Sequence, residues 1–123
     1  MATSVLLVDD DDLFREMLSE ALTSEGFEVR EASEGHRGIA LYAQQPTDVV
    51  ITDVVMPDKE GLEMILQMKR LYAGVKIIAI SGGGRGRSEG YLKTAKAFGA
   101  QLVLAKPFSH REIVDAIYQV IDN

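Results

Sequence analysis

Short runs of aliphatic residues alternate along the chain with longer stretches in which hydrophobic positions recur every three or four residues. The short runs predict strands, and the two at 48–52 and 75–80 are nearly all apolar, as in parallel strands covered on both faces. The run at 27–31 alternates between apolar and charged residues, which predicts an edge strand. The predicted strands are Ser4–Val8, Phe27–Glu31, Asp48–Thr52, Val75–Ile80 and Leu102–Ala105.

The longer stretches predict five helices. In the first, hydrophobic residues recur at i, i+4 and i+8 on one stripe, as in an amphipathic helix. That stripe consists of Leu13, Phe14, Met17, Leu18, Ala21 and Leu22. Gly26 follows at a position suited to a C-terminal cap, and the last helix starts with the capping-box pattern of Ser109 and Glu112. The other helices are predicted at 34–45, 59–73 and 89–98.

Five strands alternating with five helices predict an α/β fold with a doubly wound parallel sheet. A length of 123 residues, without a repeat or a long linker, predicts one domain spanning residues 1–123. The net charge of −6 argues against a nucleic-acid or acidic-membrane partner. The absence of cysteine excludes disulfides and thiolate chemistry. No signal peptide or membrane span is recognisable, so a cytoplasmic location is predicted.

Polar residues follow four of the five predicted strands. Asp9 and Asp10 follow the first strand, Asp53 the third, Ser81 the fourth and Lys106 the fifth. In open α/β sheets, functional groups gather at the carboxyl ends of the strands. We therefore expect three carboxylates, one hydroxyl and one ammonium group at a single edge of the sheet.

The electrostatics of this set indicate its chemistry. Two carboxylates about 4 Å apart repel by roughly 4 kcal/mol at the effective dielectric near a protein surface. The cluster therefore needs protons, a lysine or a cation, and a few oxygen ligands with room for water suit Mg²⁺. A divalent ion also neutralises a phosphoryl group, so that a carboxylate can attack it. With Lys106 and Ser81 available to hold phosphoryl oxygens, the set predicts an aspartyl phosphate.

Four sequence motifs carry a resemblance to a known family. They are "VDD" at 8–10, "ITDVVMPDKEG" at 51–61, "AISG" at 79–82 and "AKPF" at 105–108. In their order and spacing they resemble the receiver domain of two-component response regulators, over essentially the whole chain. The resemblance implies a (βα)5 flavodoxin-like three-layer sandwich, with a five-stranded parallel sheet in the order 2-1-3-4-5.

The resemblance also implies roles for individual residues. Asp53 would be the phosphoacceptor, and Asp10 would bind Mg²⁺ directly. Asp9 would act mainly through a metal-bound water, and the backbone carbonyl of Val55 would complete the protein's metal contacts.

On the other side of the site, Ser81 resembles the family's switch hydroxyl and Lys106 its lysine. The Lys106–Pro107 peptide bond is expected to be cis, and Gly61 is expected to help shape the turn into the third helix.

Two departures from the family pattern stand out. Val103 occupies the position of the usual aromatic switch residue, three before Lys106. The segment "SGGGRGRSEG" at 81–90 is unusually rich in glycine. We hypothesise that ordering of residues 82–90 is part of the output switch.

The implied function is that of a phosphorelay switch. The phosphoryl group would come from a sensor histidine kinase or a phosphotransfer protein, and the domain would catalyse its own phosphorylation and dephosphorylation. Output to a downstream effector would use protein–protein contacts, because no DNA-binding or enzymatic domain follows residue 123. A piece of a longer protein would have the same sequence.

The aspartate run at 9–12 has other interpretations besides a metal site. A calcium-binding loop fails because Leu13 and Phe14 occupy ligand and glycine positions. Asp11 and Asp12 suit the start of a helix, where acidic groups favour the dipole and cap amides. His36 and His110 are predicted to lie on helix surfaces, too far from the carboxylate edge to bind the metal.

Two other functions remain as alternatives. One is a Mg²⁺-dependent phosphatase with an aspartate nucleophile after the first strand, where "DDDDL" at 9–13 comes near the required motif. The other is a pseudo-receiver that binds partners but is never phosphorylated.

Overall fold

The computed structural model describes residues 2–54, 60–81 and 87–122. Strands and helices alternate along these residues. The strands are β1 (Ser4–Val8), β2 (Glu28–Ala32), β3 (Val49–Asp53), β4 (Ile77–Ser81) and β5 (Leu102–Ala105). The helices are α1 (Asp12–Ser24), α2 (Gly35–Gln44), α3 (Glu60–Leu71), α4 (Arg87–Phe98) and α5 (His110–Ile121). Within these residues, no helix is both long and apolar enough to cross a membrane.

The five strands form one sheet in the order β2-β1-β3-β4-β5, and every neighbouring pair is parallel. The doubly wound fold, its strand order and the edge position of the alternating second strand are confirmed. β1 and β5 have the predicted bounds, whereas β2, β3 and β4 begin and end one or two residues later than predicted.

The later start of β2 has a clear cause at the end of α1. The Phe27 amide donates to the Leu22 carbonyl and the Gly26 amide donates to the Thr23 carbonyl. Gly26 has a positive φ of 98°, so the helix ends in a Schellman motif. The Phe27 amide is thereby used by the helix cap, and the strand begins at Glu28.

Hydrophobic side chains form a core on each face of the sheet. Alternate strand residues face α1 and α5 on one side, in a cluster that includes Leu7, Ile51, Leu22 and Ile117. The other alternate residues face α2, α3 and α4, in a cluster that includes Leu6, Val50 and Ile65. The molecule is therefore a three-layer sandwich, and the carboxyl ends of the central strands come to one edge between the helices.

The predicted apolar stripe of α1 is divided in the structure. Leu18 and Leu22 are buried, and Phe14 packs partly against the same core. Leu13 and Met17, which are also four residues apart, are 68% and 63% exposed. The buried row lies at i, i+4 and i+8 from Phe14, and the preceding row is turned about 100° away from the sheet. The hydrophobic pattern of α1 therefore predicts a wider buried stripe than the helix has in the structure.

Candidate functional site

The five predicted site residues come together because the strand register is fixed by the core. Asp53 is opposite Ile80, and Ser81 is opposite Ala105 in the next strand pair. The Lys106 amide donates to the Ser81 carbonyl at 2.7 Å, which extends this pairing by one residue. The predicted convergence at one sheet edge is confirmed.

Lys106 bridges two buried carboxylates. Its Nζ atom lies 3.0 Å from Asp9 Oδ2 and 3.1 Å from Asp53 Oδ2. Asp9 is 0% exposed and Asp53 is 4% exposed, so both buried charges need compensating partners, and Lys106 supplies a positive charge to each. Burial acts to lower the pKa of Lys106, but the carboxylates of Asp53 and Asp9 outweigh burial and raise that pKa above the ordinary lysine value. The side chain therefore stays an ammonium ion at neutral pH.

Further hydrogen bonds fix the position of Asp9. Its Oδ1 atom accepts the Asp11 amide at 2.9 Å, while its backbone carbonyl accepts Arg15 Nη1 at 2.7 Å. Arg15 also forms ion pairs with Asp12 and Glu31, at 2.9 and 3.2 Å. Sequence reasoning missed Arg15, because a side chain that holds a backbone carbonyl leaves no recognisable pattern.

Three carboxylates form a group that could bind a metal ion. Asp9, Asp10 and Asp53 each offer one oxygen atom, and these oxygens all lie within 4.8 Å of one another. Partial burial, followed by repulsion from Asp9 and Asp11, raises the pKa of the Asp10 carboxyl. Among the described residues, Lys106 is the one lysine that pairs with this group, so the described side chains leave it with a negative surplus. Such hard oxygen donors suit a hard divalent cation.

The other two aspartates of the run belong to α1. Asp11 is the N-cap residue, and its Oδ1 atom accepts the Phe14 amide at 3.1 Å. Asp12 is exposed in the first turn, where it pairs with Arg15. The predicted helix-start role of both residues is confirmed.

Ser81 contributes a buried hydroxyl group at the same edge. The residue is 0% exposed, and its Oγ atom has no hydrogen-bond partner within residues 2–54, 60–81 and 87–122. A buried hydroxyl without a partner costs stability, roughly 1–3 kcal/mol. Such a group is suited to donate to a ligand oxygen at the site.

Comparison with known proteins identifies the family. The sequence model of the response regulator receiver domain matches residues 5–118. The chain belongs to this family. The chemotaxis protein CheY of Halobacterium salinarum is 37% identical over 122 residues, with 98% of each chain covered. CheY of Thermotoga maritima is 32% identical, again with 98% of each chain covered.

A solved structure agrees with the sequence relatives. The crystal structure of a CheY-like response regulator receiver domain protein from Methanospirillum hungatei has a TM-score of 0.85 at 26% identity. The match covers 99% of this chain and 95% of the other. Receiver domains interact with kinases or phosphotransfer proteins and with effectors in two-component signalling.

Two local backbone features lie next to the carboxylate group. The Lys106–Pro107 peptide bond is cis, as predicted. A Cβ atom on Gly61 would lie 2.7 Å from the Cα atom of Val54, so the start of α3 approaches the end of β3 too closely for a larger residue. This contact explains the glycine next to the site.

Some predictions concern residues outside the described ranges. The carbonyl of Val55 and the glycine-rich residues 82–86 are among them. The hypothesis that residues 82–90 become ordered on signalling therefore stays a prediction. His36 and His110 lie within the described ranges, and both are exposed on helices. Neither histidine is a member of the carboxylate group.

Phe14 is a second residue, after Arg15, that sequence reasoning did not assign to the site. Its ring centroid lies 3.7 Å from Lys106 Nζ, and Phe108 packs edge-on against the same ring at 6.0 Å. Sequence reasoning assigned Phe14 only to the apolar stripe of α1. Its place in the first turn after the aspartates is the signal that could have indicated contact with the site.

Proposed function

We propose that Asp53 accepts a phosphoryl group from a phosphohistidine of a sensor kinase or phosphotransfer protein. The observation that carries this proposal is the Lys106 bridge between buried Asp9 and buried Asp53, beside the exposed Asp10. An Asp53 oxygen forms a bond to phosphorus as the bond from phosphorus to the histidine nitrogen breaks. The nitrogen leaves with the electron pair and takes up a proton.

The chain's own residues hold the transferred group. Lys106 already lies at hydrogen-bond distance from Asp53, so a small movement brings its ammonium group to a phosphoryl oxygen. The buried Ser81 hydroxyl, which has no hydrogen-bond partner in the described part of the chain, can donate to a second oxygen. Both contacts stabilise the negative charge that is delocalised over the phosphoryl oxygens in the transition state. Attack of water on phosphorus then releases phosphate and restores the Asp53 carboxylate.

We also propose Mg²⁺ as the cation of this site. Asp10 would bind it directly and Asp53 would share it, with the Val55 carbonyl as a further ligand. Asp9, whose two carboxylate oxygens already accept hydrogen bonds, would act through a bound water. When bound, the ion would neutralise charge on the phosphoryl oxygens and the carboxylates.

At the level of the whole chain, we propose that residues 1–123 act as one receiver domain. Phosphorylation would change the side of the sheet formed by β4 and β5, and the changed surface would bind a downstream effector protein. The cytoplasmic location stays a prediction from the sequence.

The test is phosphorylation in vitro. With Mg²⁺ and acetyl phosphate, intact mass and a phosphate-affinity gel should show one acid-labile adduct, which Asp53→Asn abolishes. Asp115→Asn is the matched control, because this acid is exposed on α5, where it forms a 3.9 Å ion pair with Arg111, and is not in the carboxylate group. An adduct that survives Asp53→Asn would refute the assignment.

Two further outcomes would favour the alternative functions. Turnover of phosphate esters that depends on Asp9, without an adduct, would indicate a phosphatase. No adduct and no turnover would indicate a receiver that only binds partners.

A further inference from the structure

Phe14 covers the ammonium group on which the proposed transfer depends. Lys106 Nζ lies 3.7 Å from the centroid of the Phe14 ring, well within the 6 Å limit of a cation–π contact. The same Nζ atom contacts Asp9 and Asp53 at 3.0 and 3.1 Å. The ammonium group is thus held by two carboxylates and by one aromatic face.

Phosphorylation changes the chemistry of one of these three contacts, the ion pair with Asp53, and leaves Asp9 and the ring as they are. Transfer converts the Asp53 carboxylate to an acyl phosphate, so that Lys106 must exchange one oxygen partner for another. The attraction of a ring face for a cation depends on the ring quadrupole and is independent of this exchange. Phe14 can therefore hold the ammonium group at the site while its oxygen partner changes.

The surroundings keep the ring in place. Phe14 lies in the first turn of α1, where its amide donates to the N-cap side chain of Asp11 at 3.1 Å. Phe108, two residues after Lys106, packs against the ring at an angle of 88°. The lysine side chain is only 14% exposed, so little water competes with the ring for the cation.

We infer that Phe14 is a positioning residue for phosphoryl transfer, whose ring face holds the Lys106 ammonium group within reach of the phosphoryl oxygens. The inference rests on the proposed function. It predicts that the electron density of the ring, and not only its volume, controls the rate at which Asp53 is phosphorylated.

The experiment replaces Phe14 by phenylalanines with one, two and three ring fluorines. Fluorine weakens the negative ring face with little change in shape. The rate of Asp53 phosphorylation by acetyl phosphate should fall with each fluorine, to a total loss of about 2- to 30-fold. Phe14→Leu should lie at the slow end of this range, and Phe14→Tyr should keep most of the rate. Thermal unfolding of each variant confirms that it is folded.

Phe27 provides the matched control. It is buried and packs at 5.7 Å from Tyr118, so the same fluorine series there should leave the rate unchanged. If the wild-type protein is phosphorylated on Asp53 but the rate does not change with the number of fluorines at Phe14, this inference is wrong and the proposed function stands. Failure of the wild-type protein to form an adduct would overturn the proposed function, and this inference with it.

Discussion

Replacing Asp10 by asparagine should stabilise the metal-free protein. Asp10 is the exposed member of a group of three carboxylates that includes both ion-pair partners of Lys106. Its amide analogue keeps nearly the same shape and removes one negative charge. Lys106 pairs directly with Asp9 and Asp53, whereas Asp10 forms no salt bridge with a residue in the described ranges and feels Lys106 only at longer range.

The size of the effect follows from the distances. At 4.8 Å, the outer limit for the three ligand oxygens, two unit charges repel by about 0.9 kcal/mol in water and about 3.5 kcal/mol at an effective dielectric of 20. Asp10 is exposed and Lys106 cancels part of the repulsion, so the lower value applies. We expect a gain of about 1 kcal/mol in the free energy of unfolding, or roughly 4 °C in Tm.

The pH dependence of this gain has a definite sign. The pKa of Asp10 is raised in the folded protein, so its ionised form destabilises the fold above that pKa. The difference between wild type and Asp10→Asn should therefore be complete at pH 7 and disappear as the pH falls below the ordinary aspartate value of 3.8.

Magnesium should reverse the order of stability. Wild-type protein at 100 times its Kd for Mg²⁺ gains about 2.7 kcal/mol, and a variant that has lost a direct ligand gains much less. Urea unfolding with EDTA and with saturating Mg²⁺ measures both effects. Asp12→Asn is the control, because Asp12 lies at the start of α1. This substitution should lower the free energy of unfolding by a few tenths to about 1 kcal/mol and leave the Mg²⁺ response intact. An equal Mg²⁺ response for the two variants, or destabilisation by Asp10→Asn in EDTA, would refute the reasoning.

Three other substitutions, with Gly74→Ala as a control for the first, test the scaffold by urea unfolding. Gly61→Ala should cost about 1–3 kcal/mol, because its Cβ atom would lie 2.7 Å from the Cα atom of Val54. Gly74→Ala is the control and should be nearly neutral, because a Cβ atom there would meet open space. Equal effects of the two substitutions would contradict the close approach at Gly61. Ser109→Ala removes the capping bond at 3.1 Å and should cost about 1 kcal/mol. Ile117→Ala empties a fully buried position and should cost about 2–5 kcal/mol, and a cost below 1 kcal/mol would argue against this core.

The fold was predictable from the sequence because local patterns and tertiary packing agree. The apolar strands at 49–53 and 77–81 are buried at every residue, and parallel pairing leaves few alternative topologies. Strand limits were less predictable, because they depend on which amides neighbouring elements use. Phe27 has strand-like chemistry, yet its amide completes the cap of α1.

The candidate site was predictable to a different extent for each kind of residue. Carboxylates, a hydroxyl and a lysine at strand ends stand out by chemistry and position alone. Arg15 and Phe14 did not, because each acts through a partner that only the folded chain supplies. Leu13 and Met17 are exposed for a related reason. Periodicity predicts which residues lie on the apolar side of a helix, but not how many of them the neighbouring elements cover.

Val103 bears on how the proposed switch would work, because an aliphatic side chain stands where the family pattern has an aromatic residue. Val103 is half-buried, pairs with Ala79 in the sheet and packs against the core cluster that contains Leu92 of α4. It also lines an open groove of about 420 Å³ beside α4. The Lys106 amide is bonded to the Ser81 carbonyl, so a shift of Lys106 toward a phosphoryl group would act on both strand ends. Because the valine has no ring to turn, we expect β5 to pass such a shift to α4 through backbone and packing contacts.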